Sequence, residues 1–224
     1  MINEEYYSIR RSDDLQETGH YPQAHLRKGY NPRKNGHFMV KHYEFPDFAP
    51  NLELEMHPKT IPTNYLNNTA GLINGFIVDS KFKLMMSSFK LPRHHFYPIK
   101  AYKGSKLFDY YWLHYIVDDF WEFIDTANSY GEVFEFKTPF ETVVTETFAI
   151  SSKNQVLEEK RKYKLGRTRI GKIIMKKEFP QYDLYKIDCL SYTTILSEKL
   201  KNAIVKAGIT GMEIKPFNKF LIGE

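Results

Sequence analysis

Between Asp79 and Lys90, apolar residues fall at Phe82, Met85, Met86 and Phe89. Steps of three and four lay them along one face of an α-helix. Asp79 is placed to cap the first turn, and Leu91-Pro92 ends the helical stretch. This predicts a helix over about 79–90. The same pattern returns at Leu200, Ala203, Ile204 and Ala207. Ser197 stands there as the cap, Glu198 puts favourable charge in the first turn, and Gly208 follows the last turn. This predicts a second helix over about 197–207. Phe82, Met86, Leu200 and Ile204, central on the two stripes, are expected to be buried.

Elsewhere the pattern is that of strands. Tyr6–Ile9, Phe38–Tyr43, Leu52–Met56, His95–Ile99, Thr142–Ile150, Lys172–Lys176, Tyr182–Cys189 and Met212–Phe217 are short extended stretches rich in β-branched and aromatic residues. Tyr102–Val117 reads as strands around the Lys103-Gly104-Ser105 turn, and Asp118–Asp125 fits strand or helix. Val156–Tyr163 could form a helical turn. The first seventy residues are dense in turn formers, among them Gly19, Pro22, Gly29, Pro32, Asn35-Gly36, Pro46, Pro50, Pro58 and Pro62. The expectation is an α+β fold with a mixed or mainly antiparallel sheet and few helices. It is a single domain over 1–224, with an irregular 1–70 segment packed on a 72–224 core.

The two helical stretches echo one another at an offset of 118 residues. Ile77-Val78-Asp79-Ser80-Lys81-Phe82-Lys83 aligns with Ile195-Leu196-Ser197-Glu198-Lys199-Leu200-Lys201, and Pro98 aligns with Pro216. Identity is confined to Ile77, Lys81, Lys83 and Pro98, and a shared cap and period make any two strand–helix–strand units look alike. A duplicated unit is therefore one of two readings, and it implies a packing arrangement rather than a chemistry.

Composition adds an excess of aromatics, 17 Phe, 16 Tyr and 2 Trp in 224 residues. These suit pleated, half-buried surfaces and can anchor a recognition surface. The formal net charge is +5. The excess concentrates in 153–177, where Lys153, Lys160, Arg161, Lys162, Lys164, Arg167, Arg169, Lys172, Lys176 and Lys177 face only Glu158 and Glu159. Such a patch attracts phosphates or an acidic protein surface, or is simply a solvated face. The single cysteine, Cys189, can build no disulfide within the chain and reads as a small buried residue. No stretch approaches the ~18 apolar residues of a membrane span. Acidic residues stand at the N-terminus where a signal peptide is basic. The expected location is the cytoplasm.

Candidate chemistry is sparse. No Gly-rich phosphate loop, paired-cysteine site, His-Glu-x-x-His or Gly-x-Ser-x-Gly occurs. His20/His25 and His37/His42 are spaced by five, a spacing with no ligand geometry on loops; His57, His94, His95 and His114 complete the set. Asp118, Asp119, Glu122 and Asp125 could share a helical face, but no base partners them. Trp112, Phe120, Trp121 and Phe123 read as core. No catalytic residue, cofactor or metal site is assigned.

A resemblance supplies what residue chemistry does not. Thr194–Lys201, Ala203-Ile204, Ala207–Gly211 and Ile214 resemble the closing signature of the family numbered eleven among the immunity proteins of bacterial polymorphic toxins. Phe76–Phe82, Phe96-Tyr97-Pro98 and Asp109–His114 are similar to its central signature, with Asp79-Ser80 where that family usually has Ser-Glu. The likeness covers about 72–217. It implies an intracellular protein that binds and neutralises a cognate toxin encoded beside it, with no catalytic residues. Two other readings stay open. One is a nucleic-acid-binding module using 153–177, weakened by the lack of an RRM, KH or helix-turn-helix signature. The other is an enzyme of unrecognised family.

Overall fold

The computed structural model describes residues 5–72, 74–117, 120–138, 141–163, 167–187 and 193–223. In chain order the strands are β1 (Tyr6–Arg11), β2 (Ala24–Leu26), β3 (Glu53–Met56), β4 (Tyr65–Leu66), β5 (Gly75–Asp79), β6 (His94–Lys103) and β7 (Lys106–Tyr115). They continue with β8 (Tyr130–Thr138), β9 (Glu141–Ala149), β10 (Thr168–Met175), β11 (Leu184–Tyr185), β12 (Thr194–Ser197), β13 (Met212–Pro216) and β14 (Phe220–Ile222). The helices are α1 (Leu15–Thr18), α2 (Ser80–Met86), α3 (Lys153–Lys162) and α4 (Glu198–Lys206). Three sheets result, ordered β2-β3-β6-β7-β5-β4, β11-β12-β1-β13 and β14-β10-β8-β9. Pairing is antiparallel except for β3–β6 and β10–β14. The fold is α+β, with mixed and mainly antiparallel sheets.

The echo in the sequence is a repeat in space. In the first unit β5 and β6 flank β7, and in the second β12 and β13 flank β1. Tyr111 of β7 lies between Val78 and Pro98, and Tyr7 of β1 lies between Leu196 and Pro216. Each flanking position is displaced by the same 118 residues. The middle strands arrive differently: β7 follows β6 directly, whereas β1 comes from the other end of the chain. The helix starts match as well. Asp79 caps α2 by accepting from the Phe82 amide, and Ser197 caps α4 by accepting from the Leu200 amide. Gly208, at φ 59°, supplies the left-handed residue that ends α4.

The units clasp each other reciprocally. Asn64, just before β4, donates from Nδ2 to the Asp79 carboxylate (2.7 Å) and accepts from the Thr210 amide (2.9 Å). Asp183, just before β11, accepts from the Ser197 hydroxyl (2.7 Å) and from the Lys90 amide (2.8 Å). Each side chain thus ties the cap of one helix to the loop leaving the other, as in the self-complementary contact of a two-fold dimer. Between these ties, Phe82, Met86, Leu200 and Ile204 are buried in one apolar cluster with Tyr7, Phe76, Val78, Leu113, Tyr115 and Leu196.

Strand neighbours alternate between cores, as a period of two requires. Val78 and Leu113 face the shared cluster, while Ile77 and Trp112 face a second core with Leu52, Leu54 and Met56. Tyr7 and Leu196 face the shared cluster, while Tyr6 and Ile195 face a third with Ile170, Ile173 and Phe220. Both sheets are thereby covered on both sides, which explains why Tyr110–Tyr115 is apolar without alternation. The first seventy residues contribute an inner strand of one sheet and three strands of another.

Several predicted elements differ. Phe38–Tyr43 is not a strand: the Phe38, Met39 and Val40 amides bond back to Pro32, Gly36 and His37, so these donors serve turns. The helix predicted over 79–90 stops at Met86, because Ser88 and Phe89 close tight turns onto Met85 and Met86. The strand predicted at His95–Ile99 extends over ten residues, His94–Lys103. Of Tyr182–Cys189, Leu184–Tyr185 forms a strand, and Cys189 lies outside the described residues.

Candidate interaction surface

β8 and β9 form a long hairpin built from aromatic and β-branched residues. Two glycines make room for aromatic rings at its base. A Cβ at Gly131 would stand 2.1 Å from the Phe148 ring, and one at Gly171 would stand 2.3 Å from the Tyr130 ring. At the base β8 is paired with β10, ending at Thr168 opposite Val133, and the Phe134 amide then bonds the Arg167 carbonyl (2.9 Å). Beyond that bond no other strand accompanies the hairpin among the described residues. Phe136, Val143 and Val144 are exposed there.

Two arginines brace this ribbon. Arg167 lies 4.7 Å from the centre of the Phe136 ring, and Arg169 lies 4.8 Å from that of Phe134. Arg169 also donates to Glu132 (2.7 Å) and to the Thr142 hydroxyl (3.0 Å), and Lys219 donates to the same carboxylate (2.8 Å). Burial alone would raise the Glu132 pKa, but the bonds from Lys219 and Arg169 hold it below the usual carboxylate range.

The basic segment predicted over 153–177 is divided between elements. Lys153, Lys160, Arg161 and Lys162 belong to α3, while Arg169 and Lys172 lie on β10; Lys164 lies outside the described residues. Ser152 caps α3 and Val156 is its buried anchor; the three basic residues of its last turn sit favourably at the negative end of the helix dipole. Lys162 pairs with Glu159 (2.7 Å), and Lys176 donates to the Glu122 carbonyl (2.8 Å). With Arg167 and Arg169 turned to the hairpin, the segment is only partly available to phosphates. Nucleic acid is therefore expected to bind weakly, with Kd about 10 μM or above at physiological salt and a steep decline as salt rises. A gel-shift titration checks this; tight, sequence-selective retention would favour the nucleic-acid reading.

The other candidate residues are scattered. His20 stacks on His57 at 3.4 Å, while His37 is buried and bonds Tyr30 (2.9 Å) and the Ala70 carbonyl (2.8 Å). Neither pairs with the histidine five residues on. Glu122 is exposed, and Asp125 closes a turn by accepting from Asn128 and Ala127, which lowers its pKa. Asp118 and Asp119 lie outside the described residues. Trp112 and Phe120 are core, with Trp121 and Phe123 packed against it. Among the described residues, no three His, Cys, Asp or Glu side chains are grouped to hold a metal. No described helix is long and apolar enough to cross a membrane.

His114 is fully buried opposite His95 and beside Phe45, Tyr97 and Trp112. Neither ring nitrogen has a hydrogen-bond partner among the described residues. Burial, then the charge of His95, pushes its pKa down to about 4; the nearby Lys41 backbone opposes this only in part.

The strand expected over Thr142–Ile150 is β9, but its partner β8 escaped the sequence reading. Its signal is the apolar series Val133, Phe134 and Phe136, which interleaved Glu132, Glu135 and Lys137 obscure. Compared with known proteins, the chain matches no protein-family model and no curated protein.

Proposed function

We propose that this protein is an immunity protein that binds a bacterial toxin domain one to one and catalyses no reaction. The observation that carries this is the projecting β8–β9 ribbon. It offers Phe136, Val143 and Val144 to solvent beside braced arginines, the mixture of aromatic, apolar and Arg contacts that anchors protein interfaces. The resemblance over about 72–217 names the class of partner.

Stoichiometric protection requires slow release, and interfaces of ~800 Å² per partner reach it when their anchors pack well. Co-expression with the C-terminal domain encoded by the neighbouring gene is expected to restore growth and yield a one-to-one complex of about nanomolar Kd. A purified protein that fails to bind, or that protects below stoichiometry by consuming a substrate, would falsify this reading.

A further inference from the structure

The edges of the three sheets are unequal. β2, β4, β11, β13 and β14 run two to five residues each, too short to template much pairing. β9, the remaining edge, runs nine residues, Glu141–Ala149. β8 pairs with one side of it, and no strand pairs with the other among the described residues. Edges that must stay unpaired carry lysine or other charges, proline or a bulge. β9 reads Glu-Thr-Val-Val-Thr-Glu-Thr-Phe-Ala, with neither lysine nor proline; a bulge at Thr145 separates its Glu146–Val133 and Val144–Phe134 pairs, and Glu141–Val144 lies beyond it.

One face is open as well as the edge. Val143 is 46% exposed. Adjacent strand residues point to opposite faces, and the other face, with Phe134, Phe136, Thr142 and Val144, carries Arg167 and Arg169. It is held in shape from behind by the Arg167–Phe136 and Arg169–Thr142 contacts. An extended, β-prone, pre-shaped strand with one open side is what strand addition needs. Backbone bonds supply affinity, and alternate side chains supply choice.

From this edge we infer that β9 receives an extended segment of a protein partner as a fifth strand of its sheet, and that the segment is basic. The charges of β9 itself are Glu141 and Glu146, with exposed Glu135 behind them on β8. Lys137 lies 3.8 Å from Glu141, and Tyr163 donates to Glu146 (2.7 Å) without neutralising it. Lysine or arginine opposite the two glutamates forms favourable cross-strand pairs. A second copy of β9 would instead bring more glutamates, on a chain of the same +5 net charge. The immunity reading supplies only the partner's identity, a toxin; the strand-accepting edge is argued from β9 alone.

The test uses the full chain and two nine-residue peptides of alternating threonine and valine. One carries lysine at its second and seventh positions, the other glutamate. Hydrogen exchange of the β9 amides is expected to slow with the lysine peptide at about 1 mM, and the glutamate peptide is expected to bind about tenfold more weakly. Along a strand, successive N–H groups point to opposite edges. Of Val143→Pro and Val144→Pro, therefore, one should break the hairpin, while the other keeps β10 protected and loses the peptide. Absence of slowing at β9, equal binding of both peptides, or retention of the peptide by both proline variants overturns the inference. So does a toxin complex in which β9 amides exchange as freely as in the unbound protein, an outcome that leaves the immunity reading intact. Capture of the lysine peptide at β9 by a protein that binds no toxin supports strand addition and removes only that reading.

Discussion

Phe82→Ala is expected to lower folding stability by about 3–5 kcal/mol and Leu200→Ala by about 2–5 kcal/mol. Phe82 is 1% exposed and Leu200 is fully buried, so each truncation opens a cavity that the neighbouring strands can close only in part. The two occupy equivalent places in the repeated unit and share one cluster. Their effects should therefore couple: the double variant is expected to depart from the sum by about 0.5–3 kcal/mol. Urea unfolding followed by fluorescence and by circular dichroism checks this. Unchanged midpoints would remove both side chains from the core, and two separate transitions would show that the units unfold independently.

The helices were legible because capping and period are local. Asp79 with Phe82, and Ser197 with Leu200, are separated by three residues, and the whole signal fits within one turn. The repeat was legible only in half. Its flanking strands keep one offset, but its middle strands do not, since β7 follows β6 directly whereas β1 precedes both units. The matching pairs Tyr6-Tyr7 and Tyr110-Tyr111 were visible in the sequence, yet nothing local says that they are equivalent. Phe38–Tyr43 misled because its apolar residues are mostly exposed: Val40 is buried, while Phe38, Met39 and Tyr43 are not. The candidate surface was the least legible part. Openness of an edge depends on which strands fail to arrive beside it: β8 pairs with one side of β9, and no described strand reaches the other.

Stability is expected to fall as the pH is lowered from about 6.5 to about 4, by up to about 3 kcal/mol from His114. Above 6.5 the imidazole is neutral in both folded and unfolded chains and contributes no slope. Below it the unfolded chain takes up a proton that the buried ring refuses, so acid favours unfolding. Below about 4 the folded protein binds the proton too, and the slope ends. His37, also lowered by burial, adds in the same direction. His114→Phe keeps an aromatic ring in the cluster and removes the proton site. The difference between the two proteins' stability curves should therefore grow between pH 6.5 and 4 and be flat above it. Parallel curves across that range would show that the ring is solvated or partnered.

The position of β1 sets a timetable. α2 and strands β5, β6 and β7 lie within residues 75–115, so the first unit can assemble as soon as that stretch leaves the ribosome. The second cannot. Ser8 and its partner Lys215 are 207 residues apart, an interval of about 10–40 s at ordinary rates of translation. Throughout it, Tyr6, Tyr7 and Ile9 have neither β12 nor β13 to cover them. A nascent chain therefore carries a sticky strand that is masked only once residues 194–216 have emerged. Chains that stall before then leave that strand open to chaperones and proteases.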